Sequence, residues 1–199
     1  MLENLEYPLQ LDFKLIALSP QFSVIDAGNN EIAFVKQKLF RFKEAIIVYK
    51  DENQSTELYK IQANQWIDWS ASYEFTDATG QYLGKIARKG ARSIWKATYD
   101  IYDNNNIFEY RIEEDNAFVK VFDGMLSEIP ILNIFTGFLF NPKYNVISSN
   151  GEKVAVFSKE KTFFGLTFEL NLLENISQKD QERIILSLMM MVLLERKRG

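Results

Sequence analysis

Ile184-Ile-Leu-Ser-Leu-Met-Met-Met-Val-Leu-Leu194 decides the architecture. At 100° per residue these side chains cover every face of a helix, and a helix that is apolar all round must be buried all round. The stretch before it, Ser177-Gln-Lys-Asp180, reads as a capping-box-like start, with Asp in place of the usual Glu. Acidic residues stand in the first turn, and Arg196, Lys197 and Arg198 follow Glu195. Both placements complement the helix dipole, so a helix is expected over 178–195. Spanning a bilayer takes roughly 20 apolar residues, so this run is too short for a transmembrane helix. Shelter on all sides then comes from the inside of a closed sheet or from a hydrophobic partner. Each large side chain buried there contributes roughly 1.5–3 kcal/mol, so the run would dominate a core. The Met triplet suits an adaptable contact, but Met is more often a core gap-filler.

Upstream, three segments align without a gap: Asp26-Ala-Gly-Asn-Asn-Glu-Ile-Ala-Phe-Val-Lys36, Asp77-Ala-Thr-Gly-Gln-Tyr-Leu-Gly-Lys-Ile-Ala-Arg88 and Ser148-Ser-Asn-Gly-Glu-Lys-Val-Ala-Val-Phe-Ser-Lys159. Each opens with turn residues that supply positive φ and local hydrogen bonds. Each then places an aliphatic residue (Ile32, Leu83, Val154), a small one (Ala33, Gly84, Ala155) and a second large apolar one (Val35, Ile86, Phe157). The small residue marks a close approach of backbone or a bulky neighbour. Apolar strands precede the turns at Gln21 to Ile25, Ser72 to Phe75 and Tyr144 to Ile147. Further hairpins turn at Asp51-Glu-Asn-Gln-Ser55 and Asp103-Asn-Asn-Asn106. Other strands are read at 45–49, 57–62, 95–102, 107–113 and 164–170. The whole is an all-antiparallel meander, one domain over 1–199. Asp123 to Asn141 breaks the pattern, with neither alternation nor helical spacing, and is too apolar for an ordinary loop.

The three turn–strand units, the basic stretch Ala87-Arg-Lys-Gly-Ala-Arg-Ser-Ile-Trp-Lys-Ala-Thr-Tyr99, and Phe164-Gly-Leu-Thr-Phe-Glu-Leu170 before the apolar helix together resemble the tubby C-terminal-like superfamily, in its LURP-one-related and scramblase-like branch. The resemblance spans about residues 20–195. It implies a mainly β fold: an antiparallel closed β-barrel of about 12 strands around a central, buried C-terminal α-helix, with Asp123 to Asn141 as an insertion against the family pattern. It also implies binding rather than catalysis. Tubby proteins bind phosphoinositide headgroups and scramblases act at membranes, although fold does not carry function across such a set.

Composition narrows the chemistry. The chain of 199 residues has no Cys and no His. Disulfides, thiolate metal sites, Cys nucleophiles and every Ser-His arrangement are therefore excluded. No cofactor or metal is expected. Net charge is −4 and the pI about 5.1, which opposes nucleic acid and, globally, anionic membranes, unless a local patch overrides the mean. Lys85, Arg88, Lys89, Arg92 and Lys96 are such a candidate patch for anionic phospholipid headgroups. The bland reading is a solvated hairpin. Ile131, Phe135 and Phe138 of the apolar insertion are candidates for a protein partner or lipid, against a bland reading as a packed excursion. Glu113, Glu114 and Asp115, like Asp100 and Asp103, lack calcium-loop spacing and read as turn residues or exposed strand ends. Asp68, between Trp66 and Trp69, reads as an Asp pointing to water, although that apolar setting would raise its pKa. No basic n-region precedes an apolar run at the N-terminus. The expectation is thus a cytoplasmic, membrane-peripheral, non-catalytic binding module of unassigned ligand. The alternative is an interaction protein docking a partner through 123–141.

Overall fold

A computed structural model describes residues 2, 4–14, 17, 19–39, 44–64, 72–89, 98–115, 142–160 and 166–196. In chain order the elements are β1 (Leu9–Phe13), β2 (Gln21–Ile25), β3 (Glu31–Leu39), β4 (Glu44–Tyr49), β5 (Glu57–Ala63), β6 (Ser72–Asp77), β7 (Tyr82–Arg88), β8 (Thr98–Tyr102), β9 (Phe108–Glu114), β10 (Lys143–Ser148), β11 (Lys153–Lys159), β12 (Leu166–Leu172) and the helix α1 (Gln178–Arg196). Each strand pairs antiparallel with its sequence neighbours, and β1 pairs with β12 to close the barrel. The barrel and its C-terminal helix are therefore as the sequence implies. Strand β1, whose Leu9, Leu11 and Phe13 face the core, was not read from the sequence. It is short and lies in a charged N-terminal stretch, and it is held between β2 and β12. Residues 95–97 and 164–165 of two expected strands, and the expected insertion at 123–141, lie outside the described residues.

The repeat runs further than the three aligned segments. Five hairpins use one turn: Asn29, Gln54, Gly80, Asn106 and Gly151 have positive φ of 64°, 58°, 85°, 64° and 92°. Each of their amides donates back to the carbonyl of the residue that opens the turn, Asp26, Asp51, Asp77, Asp103 or Ser148. A register shift follows in each hairpin, as expected when a left-handed residue inserts a bulge. The last position before the shift alternates in size around the barrel: Ala33, Tyr59, Gly84, Tyr110, Ala155. Alternating small and large inward residues make room for an object inside a barrel, and that object is α1.

Ile184, Ile185, Leu186, Leu188, Met189, Met190, Met191, Val192 and Leu193 are all buried and join the strand interiors in one core. The helix comes closest to β6, β7 and β8, on the side where Gly84 supplies no side chain. A Cβ there would sit 2.3 Å from the Tyr102 carbonyl oxygen and 3.0 Å from Cδ of Arg183, at a φ of +141°. The small residue of the repeat thus marks a close backbone approach. Ser177 caps α1: its hydroxyl accepts from the Asp180 amide at 3.2 Å and donates to the Asp180 carboxylate at 2.8 Å.

Candidate functional site

The meander gives the barrel two unlike ends. At one end the five tight turns meet the start of α1. Four of the turns open with Asp, and three of these carboxylates are held by the turn itself. Asp26 accepts from the Asn30 amide at 2.8 Å, Asp77 from the Thr79 hydroxyl at 2.7 Å, and Asp103 from the Ile107 amide at 2.6 Å. The Asn30 amide and side chain hold the Asp26 carboxyl below its ordinary value, and the Thr79 hydroxyl and nearby amides do so for Asp77. For Asp103, burial pulls the other way, but the bonds from Ile107 and Asn105 prevail and the net shift is down.

The same end is plugged by polar contacts of α1. The Tyr59 hydroxyl donates to buried Glu182 and accepts from the Leu2 amide at 2.8 Å. Arg183 forks onto Glu109 at 2.8 and 3.0 Å and also meets Asp180. Burial, then the neighbouring Asp180, push the Tyr110 hydroxyl up to about 12. These groups seat the helix; they satisfy one another, and none is poised as a nucleophile with a base.

The opposite end is where β1–β2, β3–β4, β5–β6, β7–β8, β9–β10 and β11–β12 connect and where α1 finishes. In sequence these connections carry Arg41, Lys43, Arg92, Lys96 and Lys161, with Lys197 and Arg198 after the helix. In sequence they also carry Lys14, Lys89 and Lys120 against Asp68, Asp115, Asp123, Glu128 and Glu160, a net basic balance, whereas the tight turns are net acidic.

Within the basic stretch, strand geometry separates what sequence places side by side. Successive residues of β7 alternate faces, with Gly84 and Ile86 turned inward. Lys85 and Lys89 accordingly face out and Arg88 faces the interior, near enough to Tyr99 to oppose the rise in its hydroxyl pKa that burial causes. Lys85 lies over the Tyr102 ring, 5.2 Å from its centroid. Lys89 meets Asp100 at 2.9 Å, and Arg111 meets the same carboxylate at 2.7 Å. Asp100 and Glu114 are buried, not exposed as their sequence context indicated. Asp100 gains burial on the outer face from its two cations, and Glu114 points inward beside Tyr144. Arg92, Lys96, Ile131, Phe135, Phe138, Trp66, Asp68 and Trp69 lie outside the described residues.

Another basic group was missed by sequence. On the outer face of β3, β4 and β5, Lys36 is opposite Ile47, and Ile47 is opposite Lys60. Lys38 stands two residues on from Lys36. Lys36 and Lys38 share β3 while Lys60 stands on β5, so only the register brings the three together. Beneath them Phe34, Ile47 and Tyr49 form a small apolar cluster on the outer face, with Lys38 5.2 Å from the Tyr49 ring centroid.

Among the described residues no group of three acidic, His or Cys side chains could hold a metal ion, and no described helix is long and apolar enough to cross a membrane. A family profile described as LURP-one-related matches residues 31–190, most of the chain. No curated protein and no solved structure matches it.

Proposed function

The chain belongs to the LURP-one-related family, within the tubby C-terminal-like superfamily, and from that membership and the polarity of its barrel we propose that it is a non-catalytic binding module for anionic phospholipid surfaces. The observation that carries the reading is in the sequence of the connections: the tight turns open with acidic residues, while the segments that join the other strand ends, and the residues after α1, are net basic. A net charge of −4 would repel an anionic surface, but a polarised molecule turns its basic end toward that surface and its acidic end away. Two further features favour docking by surface charge. A closed barrel offers no free edge for strand addition. A chain without His or Cys lacks the commonest catalytic side chains. On this reading the protein works at a cytoplasmic, anionic leaflet.

Vesicle co-sedimentation tests the proposal. The protein should pellet with phosphatidylcholine vesicles containing phosphatidylserine and stay in solution with phosphatidylcholine alone. Association should weaken as salt rises, because the Debye length falls from about 10 Å at 0.1 M to about 3 Å at 1 M. Equal pelleting with neutral vesicles, or none with either, refutes it. Ser at Ile131, Phe135 and Phe138 separates the alternative: loss of a co-purifying protein with vesicle binding intact would favour partner docking through 123–141.

A further inference from the structure

We infer that the turn-end mouth of the barrel is a peptide-binding site, occupied here by the chain's own residues 2–8 as a detachable strap. The site lies at the end opposite the basic connections and does not depend on the membrane reading. Three features of the structure carry it. The first is how fully one residue is recognised. Leu2 lies before the first strand, yet it is only 2% exposed and belongs to the main apolar core. Its main-chain N–H donates to the Tyr59 hydroxyl at 2.8 Å, and its carbonyl accepts from the Gln178 side-chain amide at 3.0 Å. The Tyr59 hydroxyl in turn donates to the buried carboxylate of Glu182. A hydroxyl that donates to a carboxylate is a stronger acceptor for the next N–H. Burial first, then Glu182, push this hydroxyl's pKa up, so it keeps its proton. Side chain, N–H and carbonyl of a single residue are thus matched together, which is how main-chain bonds and a side-chain pocket combine in peptide recognition.

The second feature is that side chains hold the strap. Residues 2–8 precede β1 and join no ladder of the closed barrel. Among the described residues their main chain makes one main-chain bond to the barrel, from the Ala27 amide to the Glu6 carbonyl at 2.9 Å. The other polar holds come from Tyr59 on β5 and from the first turns of α1, where the Tyr7 hydroxyl donates to Gln181 at 3.0 Å. Gln181 is aimed by its other end, which donates to the Ile176 carbonyl at 3.0 Å. A segment tied by so few bonds opens at a lower free energy than paired strands, so the strap can leave while the barrel stays closed.

The third feature is what the strap covers. Lifting Leu2 opens an apolar socket in the core and removes the partners of the Tyr59 lone pair and the Gln178 amide. Leu5 and Tyr7, both half-buried against that core, leave with it. Polar groups stripped of partners beside an apolar socket favour any peptide that restores both. Asn4, at a φ of 53°, bends the strap between Leu2 and Leu5. The ligand class is therefore a short, bent peptide presenting a leucine in place of Leu2, and not an added strand.

Binding of a labelled peptide in trans tests the site. The probe is the acetylated and amidated peptide of residues 2–8, and the receptor is the full chain. In the parent the strap competes at an effective concentration of roughly millimolar. Leu2→Asp expels the strap from its socket and should bind the peptide at least tenfold more tightly than the parent does. Methylating the Leu2 nitrogen of the peptide removes the donor to Tyr59 and should lose at least tenfold. Gln178→Ala added to Leu2→Asp should lose at least threefold. Near-ultraviolet circular dichroism verifies folding, and Leu2→Ala replaces Leu2→Asp if the latter does not fold. Hydrogen exchange in the parent needs no substitution: the Leu2 and Ala27 amides should exchange at least tenfold faster than those of the β1–β12 ladder. Equal peptide affinity in the parent and the folded variant, indifference to N-methylation, or strap amides as protected as the ladder overturns the inference. A parent that sediments as a dimer and becomes a monomer on Leu2→Asp gives the mouth to a second copy and overturns the strap within one chain.

Discussion

Two outer faces of the barrel carry similar numbers of cations and treat them differently. On β7 to β9, Lys89 and Arg111 converge on one buried carboxylate, Asp100, and Lys85 rests on an aromatic ring. On β3 to β5, Lys36, Lys38 and Lys60 stand around an isoleucine with a single acid at the margin. The first face is basic in the sequence and compensated in space. The second is divided between β3 and β5 in the sequence, and only Lys38 has an ion-pair partner among the described residues, Glu57. Basic residues adjacent along a chain therefore say little about local potential until the strand register says which carboxylates sit among them.

The comparison can be broken outright through Gly84. Its conformation is left-handed and its missing side chain is where the Tyr102 carbonyl and Arg183 come in. Gly84→Ala should push β7 from β8 and cost about 3 kcal/mol or more, read as a lower urea midpoint. It should also scatter the cations of the first face while leaving β3 to β5 in place. A stability within about 0.5 kcal/mol of the parent, the range of neutral surface changes, would mean that the close approach at Gly84 carries no strain.

A milder change inverts the contrast. Asp100→Asn removes the anion shared by Lys89 and Arg111. Both cations are about a third exposed and rehydrate, so the loss should be about 2 kcal/mol, below the range for a fully buried pair. Affinity for phosphatidylserine-containing vesicles should rise, because a compensated face becomes a free one. An unchanged affinity would show that compensation by Asp100 is not what distinguishes the two faces.

The smallest effect concerns the acidic end. Asp26, Asp77 and Asp103 have folded pKa values below the ordinary 3.8. A depressed pKa contributes stability that is fully present above the unfolded value and lost as pH falls through the folded one. Stability should therefore fall below about pH 3.8 and stay level with respect to these groups above it. The triple Asn variant should show a shallower acid limb in urea titrations at pH 2 to 5. An identical limb would mean that the turn bonds to these carboxylates form equally in the unfolded chain.

Much of the architecture was legible because it follows from local or periodic constraints. The all-round apolar helix demands enclosure whatever encloses it, and its cap, Ser177 with Asp180, forms as read. Asp, Asn and Gly at the turns announce the hairpins, since few other residues take positive φ. The small positions Ala33, Gly84 and Ala155 flagged close approach. Less was legible at the sites. Lys85, Arg88 and Lys89 looked like one patch, but alternation along β7 sends Arg88 inward and Asp100 claims Lys89. Asp100 and Glu114 resembled exposed strand ends because nothing local indicates that distant cations or tyrosines surround them.

From the sequence alone came the helix, the turns, the approximate extents of most strands and the absence of Cys and His, all properties of short windows or of composition. Tertiary structure decided that β1 closes the barrel, because half of its pairing is local, with β2, and half comes from β12 at the other end of the chain. It also decided the alternation of Ala33, Tyr59, Gly84, Tyr110 and Ala155 around the helix, and which lysines lack a counter-charge. Those outcomes depend on register across strands, and register is set by closure of the whole barrel.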